Sequence, residues 1–325
     1  MRPFVFVRPS NASQALTRKN NSTQFIAGGT NLLDLMKKDI TQPDTVLDIT
    51  SVSSNTVRST GKGISIGAMV RNSAAATHAD IISRFPLVAK AILAGASPQI
   101  RNMASTGGNL LQRTRCPYFY DITLPCNKRK PGSGCSAFNG SNRMSAIVGW
   151  SEQCVAVHPS DLCVALAALD ASVVVTGKDQ KNTVIPFKDF HRLPGTSPER
   201  DNNLPANAMI QSVEIPDNPF FKNYAYLKLR DRDSYAFALV SVAAALQLNN
   251  NRIVEARLAS GGVAHKPWRW YAAEQYLKGK EATGAAFAAA AAIAVKETKP
   301  LAHNGFKVSM LRGAIETALQ NCLTV

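Results

Sequence analysis

Hydrophobic positions recur with a changing period along the chain, and the changes divide it into blocks. Ser10-Asn11 stands before an apolar-periodic run and predicts a short helix, after which Gln24 to Ala27 reads as a buried strand. Gly28-Gly29-Thr30-Asn31 ends that strand, Leu32-Leu33-Asp34-Leu35-Met36 starts a second helix, and Thr45 to Ile49, beyond Pro43, forms another strand. Residues 1–56 are thus expected to be a small β-α-β unit.

Gly63 to Met69 alternates like a half-buried strand, and Ser73 to Ala96 follows the helical period with a break at Pro86. From about 112 to 155 the period vanishes among Cys, Pro, Gly, Asn and Arg. A stretch of that length without structure of its own is usually functional or disordered, and its cysteines favour function. Pattern returns at His158-Pro159-Ser160-Asp161, where Ser160 suits the cap of a helix running to Leu169, followed by a strand from Ala171 to Thr176. Strands are expected at Asn207 to Ile215, Asn223 to Arg230, about Ala236 to Val242 and Ile253 to Leu258, with Pro216 to Pro219 as a linker. Helices at about 272–278, 282–296 and 305–321 complete an α+β pattern without repeats.

Composition adds size and surface. The 325 residues are 45% apolar, enough for a sizeable core, and only 18% charged, below the roughly 25% of ordinary soluble domains. So few charges suggest a surface partly covered by partner subunits. Lys and Arg number 37 against 22 Asp and Glu, a net charge of +15. That charge would suit nucleic acid, an anionic membrane or an acidic partner. The densest basic stretch, Arg113, Arg115, Lys128, Arg129 and Lys130, is broken by cysteines and prolines and fits no nucleic-acid motif. No apolar run reaches the roughly 18 residues of a membrane span. Met1 to Arg8 is too short and too soon charged for a secretory signal, so export would depend on a partner.

Two glycine pairs carry the strongest chemical signal. Ala27-Gly28-Gly29-Thr30-Asn31-Leu32 and Thr106-Gly107-Gly108-Asn109-Leu110 each join glycines to small polar groups and then an apolar run. Glycines let backbone N–H groups turn inward as an anion cradle, and two such loops suit a pyrophosphate, although either alone reads equally as a turn. Gly132-Ser133-Gly134-Cys135-Ser136-Ala137 matches a dinucleotide fingerprint formally, but it follows no strand and opens no helix. Cys116, Cys126, Cys135 and Cys154 have spacings too long for a C-x2-C metal motif, which leaves a metal site, disulfides and free thiols open. Arg113, Arg115, Lys128 and Arg129 would offset the negative charge of a thiolate cluster. Cys163 and Cys322 fall in expected helices and read as small buried apolar residues. Asp161 reads either as a helix-cap neighbour or as an acceptor for a ligand hydroxyl. Lys228 shares one strand face with Tyr224, Tyr226 and Arg230, either solvated or beside a flavin or phosphate.

These motifs, together with Gly67-Ala68, His158-Pro159-Ser160-Asp161-Leu162 and Tyr226-Leu227-Lys228-Leu229-Arg230, resemble in order and spacing the FAD-binding medium subunits of the xanthine dehydrogenase family of molybdenum hydroxylases. The cysteine segment, Leu111 to Asp121 and Cys126 to Cys135, resembles the FAD subunits of bacterial periplasmic aldehyde oxidoreductases, which carry an extra 4Fe-4S cluster. The resemblance implies an FAD-binding domain over residues 1–218, its parts 1–56 and 57–218, and a C-terminal flavoprotein domain over 222–325 with a three-stranded sheet and helices. It implies that Ala27, Gly28, Gly29, Thr30, Asn31 and Leu32 hold FAD with Thr106, Gly108 and Asn109 facing them, the first and last of the loop by backbone only. Asp161 would reach the ribityl chain and Lys228 the isoalloxazine, and Cys116, Cys126, Cys135 and Cys154 would ligate the 4Fe-4S cluster.

The function so implied is electron transfer, with no catalytic acid or base in this chain. A molybdenum-cofactor large subunit would oxidise an aldehyde, two 2Fe-2S clusters of a small subunit would pass the electrons to FAD here, and an external acceptor would take them. The location implied is the periplasm, reached with an exported partner. Within the family the alternative is a cytoplasmic purine or nicotinate hydroxylase or an aromatic thioester reductase. From another class comes a zinc-stabilised interaction protein without flavin.

Overall fold

Asn11 accepts a hydrogen bond from the Gln14 amide at 2.9 Å and so starts helix α1 (Ala12–Arg18) where the sequence pattern requires it. The computed structural model describes residues 1–324. Strands β1 (Val5–Val7), β2 (Thr23–Ile26) and β3 (Thr45–Asp48) form a parallel sheet in the order β1-β3-β2, with α1 and α2 (Leu32–Lys37) as the connections around β2. The first strand was not foreseen: the three residues Val5–Val7 are too few to show a period.

The second block is an antiparallel sheet of β4 (Val57–Thr60), β5 (Gly63–Gly67), β6 (Ser172–Thr176), β7 (Asn182–Pro186) and β8 (Met209–Pro216), in the order β4-β5-β8-β6-β7. Between β5 and β6 run α3 (Asn72–Thr77), α4 (Ala79–Arg84), α5 (Pro86–Ala94), α6 (Pro98–Met103), α7 (Thr106–Leu110), α8 (Pro117–Tyr120), α9 (Ser136–Asn139) and α10 (Asp161–Ala168), with α11 (Phe187–Phe190) after β7. Helix α10 is buried along nearly its whole length, and Ser160 caps it by accepting from Cys163 N at 3.1 Å. The segment 112–155 lacks extended regular structure as expected. It holds only the one-turn α8 and α9 and single-pair bridges, Cys126 to Cys135 and Ser151 to Cys154.

The third block is the antiparallel sheet of β9 (Asn223–Leu229), β10 (Val240–Asn249), β11 (Arg252–Gly261) and β12 (Trp268–Arg269), in the order β12-β11-β10-β9, followed by α12 (Tyr271–Leu277), α13 (Gly284–Val295) and α14 (Phe306–Asn321). The sheet has four strands where three were expected, because the two-residue β12 adds to the edge of β11. Strand β10 is buried on both faces: Ala243 and Ala245 join the core around α5 and α10, and Val242, Ala244 and Leu246 join the core beneath α13 and α14. Burial on both faces erases the alternation that marks a half-buried strand, and the expected strand at 236–242 in fact begins at Val240. Residues 231–239 are instead a loop, and that loop borders the site.

Candidate functional site

The glycine pairs meet at one place. A Cβ built on Gly28 would lie 1.8 Å from the Met103 carbonyl oxygen, so only glycine lets the loop after β2 pass the end of α6. Gly29 takes φ +72° and turns the chain into α2. Among the described residues, none of the backbone N–H groups of Gly28, Gly29, Thr30, Asn31 and Leu32 donates to a protein acceptor. Consecutive free donors of this kind could take an anion. Asn31 Oδ1 is also buried without a partner.

The second glycine pair behaves differently. Thr106 N donates to Val70 O, Gly107 N to Ala68 O, Gly108 N to Ser105 Oγ and Asn109 N to Ser105 O, so this backbone is already satisfied within the protein. Thr106, expected on the ligand, is 1% exposed and its hydroxyl donates to Val70 O at 3.0 Å. Asn109 does face the cleft. Its Oδ1 accepts from Ser160 Oγ and Gln112 Nε2, leaving Nδ2 available. Gly108 lines both clefts, and a Cβ built there would meet only Ser105 Oγ, at 3.0 Å.

From the cradle opens a cleft of about 660 Å³ on one side, lined by Thr30, Asn31, Gly108, Asn109, Asp161 and Lys228, and one of about 400 Å³ on the other, lined by Ala27 to Leu32 and Gly107. Both volumes lie in the range of small-molecule and cofactor sites. Asp161 Oδ2 accepts from Lys228 Nζ at 2.8 Å and Oδ1 from Tyr226 hydroxyl at 2.7 Å. Burial, reinforced by the Asp161 charge, holds the Tyr226 phenol well above its usual pKa, so it stays a donor. Sequence reasoning missed Asn72, Arg101, Arg232, Tyr235 and Phe237, which line the same cleft. No local motif marks Asn72 or Arg101, and the last three lie in the loop mistaken in part for strand.

Cys116, Cys126, Cys135 and Cys154 converge on a single small cavity and form no disulfide. Burial pushes the Cys116 thiol up to about 11, with neighbouring Cys126 and Cys135 adding to the rise. Burial also takes Cys154 up to about 12 against the pull of Lys128. Four soft donors around one void, Cys126 and Cys154 buried and Cys116 and Cys135 partly so, fit a thiolate-bound metal or cluster, which would displace those protons. The basic residues are used unequally. Arg113 and Lys128 both pair with Asp201; although burial works against it, their charges hold that carboxyl well below the usual range. Arg129 donates to the carbonyls of Tyr118, Phe119 and Leu124 and knits the loop. Arg115 turns to the cleft. A tighter group, His158, Cys163 and His191, has its ligand atoms within 4.8 Å of one another, but His191 Nε2 donates to Leu110 O and the rings pack at 4.3 Å in the core.

Residues 2–218 match the family described as FAD binding domain in molybdopterin dehydrogenase, and residues 224–322 match the CO dehydrogenase flavoprotein C-terminal domain. The chain belongs to the molybdopterin dehydrogenase flavoproteins. Aldehyde oxidoreductase FAD-binding subunit PaoB of Escherichia coli (strain K12) is 43% identical over 323 residues, 98% of each chain. Glyceraldehyde dehydrogenase medium chain of Sulfolobus acidocaldarius is 27% identical, over 86% of this chain and 82% of its own. Carbon monoxide dehydrogenase from Hydrogenophaga pseudoflava shares the fold, with a TM-score of 0.77 at 23% identity over 99% of this chain and 98% of that one. The matched FAD-binding domain contributes most of the residues that line the cleft. The chain presents to it one backbone cradle, the Asn109 amide and the Asp161–Lys228 pair.

Proposed function

We propose that this chain is the FAD-binding electron-transfer subunit of a molybdenum-dependent aldehyde oxidoreductase. It would work in a heterotrimer with a molybdenum-cofactor large subunit and a small subunit carrying two 2Fe-2S clusters. FAD, when bound, supplies the reversible electron chemistry that no side chain has. The work of this chain is binding and orientation. The observation that carries the flavin reading is the run of unpaired amides from Gly28 to Leu32 opening into the cleft, suited to a pyrophosphate. Asp161, Lys228 and Tyr226 form a fixed polar wall further along. The 43% identity to an aldehyde oxidoreductase subunit supports aldehyde over purine or nicotinate as the substrate class of the complex.

The four cysteines are read as ligands of a 4Fe-4S cluster, a reading supported by their convergence and by the absence of any disulfide among the described residues. The proposed location is the periplasm, in company with an exported partner; cell fractionation measures it. Anaerobic purification of the complex, with iron, zinc, labile sulfide and released flavin assayed per chain, tests the whole reading. About one FAD and about four irons on this chain, beyond those of the 2Fe-2S partner, are expected. Zinc at the cysteines without flavin would overturn the electron-transfer function, and FAD without the extra iron would leave the family role but remove the cluster.

A further inference from the structure

Resting on the reading of the four cysteines as cluster ligands, we propose that filling the cysteine site tightens the binding of FAD, with helix α2 as the coupling element. The helix begins at Leu32, the last residue of the cradle, and ends at Lys37. Six residues are far too few for a helix to persist alone, and no side chain caps its start. Its position therefore depends on what its buried face touches.

That face touches the cysteine loop. Leu35, 4% exposed, closes a small core with Phe119 at 0% and Cys126 at 9%, and Ile40, Cys116 and Tyr120 pack against it. Two of the four cysteines thus belong to the wall behind the cradle. A polar contact runs beside the apolar one. Arg115 donates to the Tyr120 hydroxyl at 2.8 Å and reaches Asp34 of α2 at 3.5 Å. Arg115 directly precedes Cys116 and lines the cleft, its guanidinium 5.1 Å from the Phe237 ring centroid.

The wall has little regular structure of its own. Around Phe119 and Cys126 there are only one-turn helices and the single-pair bridge from Cys126 to Cys135. A bond from each of the four cysteines to one centre would pin the loop at residues 116, 126, 135 and 154. In such sites the free energy of metal binding is largely free energy of loop ordering. An ordered wall fixes Leu35, and a fixed α2 holds the Gly28 to Leu32 amides inward. Linkage is reciprocal, so FAD in the cradle stabilises the loop by the same factor.

The test uses the assembled complex. Iron per chain is measured first; FAD affinity is then compared before and after iron is stripped from the cysteine site with ferricyanide and EDTA, and in Cys126→Ser. Stripping is expected to weaken FAD at least tenfold, and flavin-free complex is expected to hold iron at least tenfold less tightly in equilibrium competition with EDTA. Leu35→Ala keeps all four thiols and should make FAD affinity indifferent to iron. Asp34→Asn, on the more exposed side of α2, should give a smaller loss of about threefold. Equal FAD affinity with and without iron, or an undiminished response to stripping in Leu35→Ala, would overturn the coupling while the cluster stands. A native complex with no iron on this chain overturns the cluster reading itself and the coupling with it.

Discussion

Lys228 Nζ donates to Asp161 Oδ2 across 2.8 Å, with only 5% and 8% of the two side chains exposed. The pair ties β9 of the C-terminal sheet to the start of α10, and Lys228 also donates to Ala94 O at the end of α5 at 3.0 Å. Three elements from two blocks are thus tied together at the wall of the cleft.

Removing one partner of this buried pair leaves an uncompensated charge. Asp161→Asn is expected to cost about 3–5 kcal/mol and to weaken FAD binding at least tenfold. Denaturant unfolding and flavin release from the complex measure the two effects. A stability loss with unchanged flavin affinity would reduce the pair to a tie between domains.

Gly28→Ala places a methyl 1.8 Å from the Met103 carbonyl oxygen, a backbone atom that cannot step aside. The cradle must open, and the flavin content of the purified variant is expected to fall by about tenfold or more. Gly61→Ala, where an added Cβ meets nothing within 4 Å, is the matched control. Full flavin content in Gly28→Ala would show that the cradle amides do not hold the cofactor.

The two glycine motifs look equivalent in sequence, yet one leaves its amides free and the other spends them. Thr106→Val should cost about 1 kcal/mol of stability, the value of its hydroxyl bond to Val70 O, with flavin affinity unchanged. Asn109→Ala should do the opposite, weakening FAD with little effect on folding. Equal loss of flavin in both variants would restore the symmetric reading.

Why that difference was hidden follows from where the partners lie. Ser105, Ala68 and Val70 take the amides of the second motif, and two of the three are remote in sequence. The cap of α10 by Ser160, by contrast, is a three-residue relationship and was legible. So were α2, β5 and the last three helices, where period and breakers agree. Strand β7 was invisible because four of its five residues are exposed, and Asn182-Thr183-Val184-Ile185-Pro186 shows no alternation of apolar and polar positions. The convergence of four cysteines spaced over 39 residues depends on the loop's path, which Arg129 and three carbonyls determine and no period records.

Acidification should strike the base of the cysteine loop through histidines rather than carboxylates. His158, His191 and His265 cluster near Lys128 and Asp201, and burial takes His191 and His265 down to about 4 and His158 well below its usual value. A base whose pKa is lowered on folding binds its proton more readily when unfolded. Stability is therefore full above the unfolded value near pH 6.5 and declines toward pH 4, by about 1.4 kcal/mol per pH unit for each such histidine. Asp201, held low by Lys128 and Arg113, loses its contribution only below the ordinary carboxylate range, at the acid end of the same titration. Unfolding free energy measured by urea at pH 7, 6 and 5 should fall by more than one histidine's share. His265→Gln, which leaves His191 and His158 in place, should flatten the slope by one proton. A stability that stays level from pH 7 to pH 5 would mean that the imidazoles find protons or partners in the folded loop, and that the acid response lies elsewhere.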